Sequence, residues 1–178
     1  MRYWPKLFIP RLSKKKYNAK ISVGSYTYNL SVNVSSGGLS EDVYICSIRE
    51  HPNVFYFCDY LKNHAKHLKT YIGVGANIGY YEILASKILR NDNVKMISLE
   101  PVKDTFGQLL DNLRINNIQN MLCINSAMGD KDGKTEMVVA QQRNLSRIHS
   151  IRHAKHQETD RITMVSIIKP TTLFTKNR

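Results

Sequence analysis

Between residues 70 and 124 the hydrophobic pattern switches repeatedly between the period of a strand and that of a helix, and few architectures accommodate that alternation. Thr70-Tyr71-Ile72-Gly73-Val74 is a short strand-like run ending in a glycine-containing turn, after which Ile78, Tyr81, Ala85 and Ile88 mark one helical face. Residues 94–99 read as a second strand. Pro101, whose ring presets φ for a first helical turn, then leads into a helix lined by Val102, Phe106, Leu109, Leu110 and Leu113. Residues 121–124 give a third strand. Strand–helix–strand–helix–strand implies crossover connections and a parallel sheet, hence an α/β class. Residues 134–139, after the Asp132-Gly133 turn, read as a further strand, as do residues 162–168.

The chain before residue 70 has another pattern. Ile21-Ser22-Val23 and the run from Tyr26 to Val34 alternate apolar and polar around Gly24-Ser25, as expected of an antiparallel hairpin with one solvated face. Ser35-Ser36-Gly37-Gly38 breaks it. Val54, Phe57, Cys58 and Leu61 then recur at helical spacing over residues 53–63. The expected organisation is a basic segment at 1–20, a hairpin and helix lead-in at 21–69, a ligand-binding half-domain at 70–140 and a basic segment at 141–178.

Charge follows these divisions. The formal net charge is +12, yet residues 1–20 carry seven basic and no acidic side chains and residues 141–178 carry eight against two. Residues 21–140, which hold every motif, are within one charge of neutral. The basic ends read as solvated termini, or as contacts for an anionic surface. Cys46, Cys58 and Cys123 are odd in number and widely spaced, which fits three buried thiols in a reducing cytoplasm better than a disulfide or zinc framework. Pro5, Lys6, Pro10 and Arg11 interrupt any signal-peptide core, and no apolar run approaches the length of a membrane span. Cytoplasmic localisation is the expectation.

The chemistry is concentrated in Gly73-Val74-Gly75-Ala76-Asn77-Ile78-Gly79, where the first parallel strand meets its helix. Glycines there let backbone approach a ligand, and a helix N-terminus offers free N–H groups to an anion. A dinucleotide fingerprint needs its third glycine where Ile78 stands, so a nicotinamide-dependent oxidoreductase fits poorly. Glu100 ends the neighbouring strand. Its carboxylate could accept bonds from both hydroxyls of a ribose, or it could simply be an acid favoured by the dipole of the next helix.

The run from Tyr71 to Tyr81, then Leu99-Glu100-Pro101, residues 112–117 and Ala127-Met128-Gly129-Asp130-Lys131-Asp132-Gly133, closely resembles the FkbM family of S-adenosylmethionine-dependent methyltransferases. Gly38-Leu39-Ser40 and Arg49-Glu50 are similar to that family's lead-in, and Thr172-Leu173 to a segment before its fourth main strand. The resemblance covers about residues 35–140. It implies a class I methyltransferase, Rossmann-like fold with a mostly parallel, incomplete sheet, preceded by the antiparallel β-hairpin and a helix. S-adenosyl-L-methionine is the implied cofactor, and a hydroxyl of a sugar, glycan or other small molecule the implied methyl acceptor. By the same resemblance, Gly75, Ala76, Asn77 and Gly79 lie along the methionyl part, Glu100 holds the ribose hydroxyls, and Ser126 and Ala127 sit near the adenine. Gly73 also belongs to this set, but it stands where the motif usually has Asp, an acid that helps organise the cofactor's amino end. Family members continue into a strand with an Asp-x-Glu-Gly-like motif that is not found before Arg178, so the chain is expected to be an amino-terminal portion, from a truncated gene or a divergent copy. No catalytic base is assigned.

Other constellations weigh less. His149, His153 and His156 would share one face of a helix, but Arg147, Arg152 and Lys155 among them oppose metal capture, so no metal site is expected. Of Tyr80 and Tyr81, Tyr81 is the one expected to pack in the core, by its register with Ala85 and Ile88. Glu50 and His51 are candidates for an acceptor pocket or for ordinary capping. The rival to a methyltransferase is a non-catalytic basic protein binding nucleic acid or an anionic surface through its ends.

Overall fold

A computed structural model describes residues 16–33, 39–90, 93–139, 147–148 and 161–176. Two antiparallel strands, β1 (Lys16–Val23) and β2 (Tyr26–Asn33), form the hairpin, with Val23 paired to Tyr26 across the turn. Alternation explains its two faces. Ala19, Ile21 and Val23 on β1 and Tyr28, Leu30 and Val32 on β2 are buried, while the residues between them meet solvent or lie part-covered. β1 starts five residues before the alternation of apolar residues became legible, because Lys16 and Lys20 occupy its exposed face.

Two helices follow, α1 (Leu39–Cys46) and α2 (Asn53–His64). The second buries Val54, Cys58 and Leu61, as its spacing predicted, whereas α1 was not read from the sequence. Next come β3 (Thr70–Val74), α3 (Tyr80–Ile88), β4 (Lys95–Leu99), α4 (Lys103–Ile115) and β5 (Met121–Ile124). The three strands form one parallel sheet in the order β3-β4-β5, with Gly73 beside Ser98 and Leu99 beside Ile124. Central β4 is buried from Met96 to Leu99, as a strand covered on both faces must be.

The parallel sheet expected of residues 70–124 is thus present, whereas the strands expected at 134–139 and 162–168 do not extend it. β6 (Ala127–Met128), β7 (Gly133–Val139), β8 (Arg147–Ile148) and β9 (Arg161–Ile168) make a separate sheet in the order β6-β9-β7-β8, in which β7 runs antiparallel to both neighbours. β7, β8 and β9 follow one another in chain order, and antiparallel neighbours need no crossover of the kind that a parallel pairing requires. Helix α5 (Pro170–Lys176) then brings Leu173, fully buried, against Ile97 and Leu99 on the parallel sheet.

Three further expectations change. Leu110 is 42% exposed, and the face of α4 turned to the protein instead carries Gln108 and Asn112 beside Leu109 and Leu113. These amides serve the unpaired edge of the hairpin: Asn112 Oδ1 accepts the Ser31 N–H at 2.7 Å, the Gln108 amide donates to Ser31 O at 2.7 Å, and Asn116 bonds both backbone groups of Asn29. Of the pair, Tyr80 is the fully buried tyrosine, 1% exposed, while Tyr81 is part-buried and packs against the core beside Phe57. Cys46 is exposed, so the cysteines are not all buried; burial raises the pKa of Cys58 and pushes that of Cys123 up to about 11. The His149, His153 and His156 cluster and most of the basic ends lie outside the described residues. Among the described residues no helix is long and apolar enough to cross a membrane.

Candidate functional site

At the C-terminal end of the parallel sheet, the turn between β3 and α3 borders a cavity of about 510 Å³, within the range of small-molecule sites. Its wall includes Gly73 from β3, Gly75, Ala76 and Asn77 from the turn, Tyr80, Tyr81 and Glu82 from α3, and Arg49 and Glu50 from the segment before α2. Gly75 has φ of +74°, a region that favours glycine, and a Cβ placed there would meet nothing within 4 Å. The backbone at Gly75 is therefore exposed to any occupant.

The turn is fixed from below by the end of β4. The N–H groups of Gly75 and Ala76 both donate to Leu99 O at 2.9 Å, and the Asn77 N–H donates to Glu100 Oε2 at 2.8 Å. Glu100 Oε1 accepts the Val102 N–H at 2.9 Å, so one buried carboxylate ties the glycine turn to the start of α4. This corrects the expectation of N–H groups left free for an anion. Three successive donors that a diphosphate would need are already committed to the protein. From the opposite side, the fully buried Asn112 amide donates to Ile78 O at 2.8 Å, which couples the turn to the hairpin edge.

The other wall is equally braced. The Tyr80 hydroxyl accepts the Arg49 N–H at 3.0 Å and donates to Arg49 O at 3.1 Å, while the Tyr28 hydroxyl donates to Tyr80 O. The Tyr81 hydroxyl donates to Glu50 Oε2 at 2.7 Å, and Arg49 pairs with Glu50 and Asp42. Burial and the Glu50 carboxylate raise the pKa of Tyr81. Of the two residues considered for an acceptor pocket, Glu50 lines the cavity, whereas the His51 ring lies edge-on against Phe55.

Glu82 is the residue that hydrophobic pattern reading missed. It sits in the first turn of α3 yet is only 4% exposed, and its carboxyl covers Gly73. A Cβ at position 73 would overlap Glu82 Oε1 and stand 3.2 Å from its Cδ. Burial, with a smaller contribution from the Glu100 charge, pushes the Glu82 pKa up to about 8, against which a bond from the Tyr71 hydroxyl works.

The remaining sequence-predicted positions, and Glu100 itself, lie outside the cavity wall. Gly79 starts α3 with φ of +93°, and a Cβ there would come within 2.8 Å of Leu109 Cδ1, so close packing against α4 accounts for this glycine. Ser126 is buried and bonded to Ala127 O, just beyond β5. Ala127 begins β6. Among the described residues no group of three or more His, Cys, Asp or Glu is placed to hold a metal.

Fold and site define an α/β chain with a glycine-turn cavity at the end of a short parallel sheet. Among solved structures, the chain is similar to an S-adenosylmethionine-dependent methyltransferase from Agrobacterium tumefaciens, at 12% identity over 68% of this chain and 34% of that one, with a TM-score of 0.42. It is also similar to TYW2 of M. jannaschii, solved in complex with AdoMet, at 15% identity over 64% of this chain and 45% of that one, with a TM-score of 0.40. The chain thus spans less than half the length of either structure. No family model and no curated protein matches it.

Proposed function

We propose that the chain is the cofactor-binding portion of an S-adenosylmethionine-dependent methyltransferase of the FkbM type, acting on a hydroxyl of a sugar, glycan or other small molecule. The observation that carries this reading is the closed glycine turn. A dinucleotide site keeps turn N–H groups free for its pyrophosphate, but here Leu99 O and Glu100 consume them, which suits a nucleoside ligand without phosphates. Open space beside the Gly75 backbone and a buried carboxyl on the wall fit a cationic ligand of this kind.

In this reading Gly75, Ala76 and Asn77 border the methionyl part, and Glu100 takes the ribose hydroxyls. Both of its oxygens also accept N–H groups of the chain, from Asn77 and Val102, which fixes the carboxylate beside the turn. Ser126 and Ala127 are proposed near the adenine. The cofactor supplies a methyl group already activated on a sulfonium, so the protein's task is to align it with an oxygen and keep both in place. Arg49, Glu50 and Tyr81 are the polar groups on the wall that could orient a hydroxyl-bearing acceptor. Isothermal titration with S-adenosylmethionine tests the reading: saturable heat is expected, weakened in Glu100→Ala. Absence of heat or chemical-shift change at millimolar ligand would sink it.

A further inference from the structure

We propose that Glu82 is the anionic recognition group of the cavity and receives the ammonium at the amino-acid end of the cofactor, from the α3 side rather than from β3. The inference rests on the S-adenosylmethionine reading above and adds to it a residue that the sequence motif does not contain.

The placement is specific. Tyr71 and Gly73 alternate along β3 onto one face of the strand, and Glu82 in the first turn of α3 lies over that face. The glycine at 73 leaves room for the carboxyl in this position, since a Cβ there would overlap Oε1 and oblige the Glu82 side chain to shift. The acid that the strand lacks is thus present in the same space, delivered by the helix. Gly73, Tyr71 and Glu82 all line the cavity.

The surroundings of Glu82 fit a cation. Its carboxyl is bonded by the Tyr71 hydroxyl and by its own backbone, and burial disfavours the charged form unless a group of opposite charge joins them. The titratable groups around Glu82 are Tyr71 on β3, Tyr28 on β2, Cys123 on β5, Glu100 after β4 and its helix neighbour Tyr81. All are neutral or anionic near pH 7, and among the described residues no Lys, Arg or His forms an ion pair with Glu82. A pKa near 8 keeps the empty site largely protonated. An arriving ammonium favours the carboxylate, so the protein releases a proton as the ligand binds.

Three probes separate the ends of the ligand. Of the two positive charges, S-adenosylmethionine carries sulfonium and ammonium, S-adenosylhomocysteine only the ammonium, and 5′-methylthioadenosine neither; the α-carboxylate is shared by the first two and absent from the third, so the effect of Glu82→Gln, rather than the affinities themselves, reads the ammonium. In the wild-type chain and in Glu82→Gln, dissociation constants are measured by titration calorimetry. The substitution is expected to weaken S-adenosylmethionine and S-adenosylhomocysteine by about 10- to 100-fold, the worth of one charged hydrogen bond, and to leave 5′-methylthioadenosine within about twofold. Equal weakening of all three, weakening of S-adenosylmethionine alone, or no weakening overturns the assignment. If the wild-type chain binds none of the probes, the methyltransferase reading fails and takes the inference with it. If it binds all three without discrimination by Glu82→Gln, only the inference fails. A second measurement needs no variant: in two buffers of different ionisation enthalpy near pH 7, S-adenosylhomocysteine binding should release a proton that 5′-methylthioadenosine binding does not. Identical proton counts for the two ligands contradict the proposal.

Discussion

Glu82 makes the stability of the folded chain depend on pH. Its pKa rises from the ordinary carboxylate value to about 8, so across that interval the folded chain holds a proton that the unfolded chain has released. Stability therefore falls as pH rises through this window, and the loss is complete above about 8. Glu82→Gln is expected to flatten the slope. Denaturant unfolding at pH 5 should find the two proteins close, and at pH 8.5 should find the variant more stable than wild type; an unchanged slope would mean that another group sets the dependence. Gly79 is the second position where one atom decides. With φ of +93° and Leu109 in the path of any Cβ, Gly79→Ala should cost about 1–3 kcal/mol from the backbone alone and more from the overlap. A midpoint shift smaller than Gly107→Ala, where a Cβ meets nothing within 4 Å, would contradict this.

At the scale of elements, α4 acts as a side-chain substitute for a third strand. Gln108, Asn112 and Asn116 recur every four residues and bond the free edge of β2, while Asn112 also reaches Ile78 O in the glycine turn. Asn112→Ala leaves buried donors and acceptors unmatched, each costing about 1–3 kcal/mol. Chemical denaturation should register that loss, and amide exchange should rise at Ser31; retention of wild-type protection there would mean that α4 does not hold the edge. This seam also marks where the sequence was hard to read. The β3–α3–β4–α4–β5 series was legible because each element announces itself through its own local period. The buried side of α4 was misjudged through Leu110, because a polar amide that is buried for its hydrogen bonds is invisible to hydrophobic spacing. Helix α1 and α5 are short, and the antiparallel partnership of β7 with β9 joins residues far apart in sequence, which no local pattern encodes. Leu173 in α5 covers Ile97 and Leu99 from that distance. Leu173→Ala should destabilise the chain by about 2–5 kcal/mol, as for other buried leucines, and a change below about 1 kcal/mol would mean that α5 does not pack on the sheet.

For the whole molecule, the hairpin, the parallel sheet and the helices between them meet at the glycine turn. Leu99 and Glu100 hold it from the sheet, Asn112 from the hairpin side, and Tyr80 ties the helix behind it to Arg49. The position of the turn was readable from Gly73 to Gly79 and from Glu100, but its state was not. The sequence pattern left its N–H groups available to an anion, whereas the fold spends them internally and lays the Glu82 carboxyl over Gly73. The net charge of +12 bears little on this site, since residues 21–140 are near neutral. A ligand that binds only the folded chain adds about 2.7 kcal/mol of stability at a hundred times its dissociation constant, so binding is also visible as a thermal shift. The most direct measurement is titration of the chain with S-adenosylmethionine, followed by calorimetry and amide chemical shifts. Saturable binding with shifts centred on Gly75, Ala76, Asn77 and Glu100 is the expected result, and no response at millimolar ligand would contradict the assignment of this cavity.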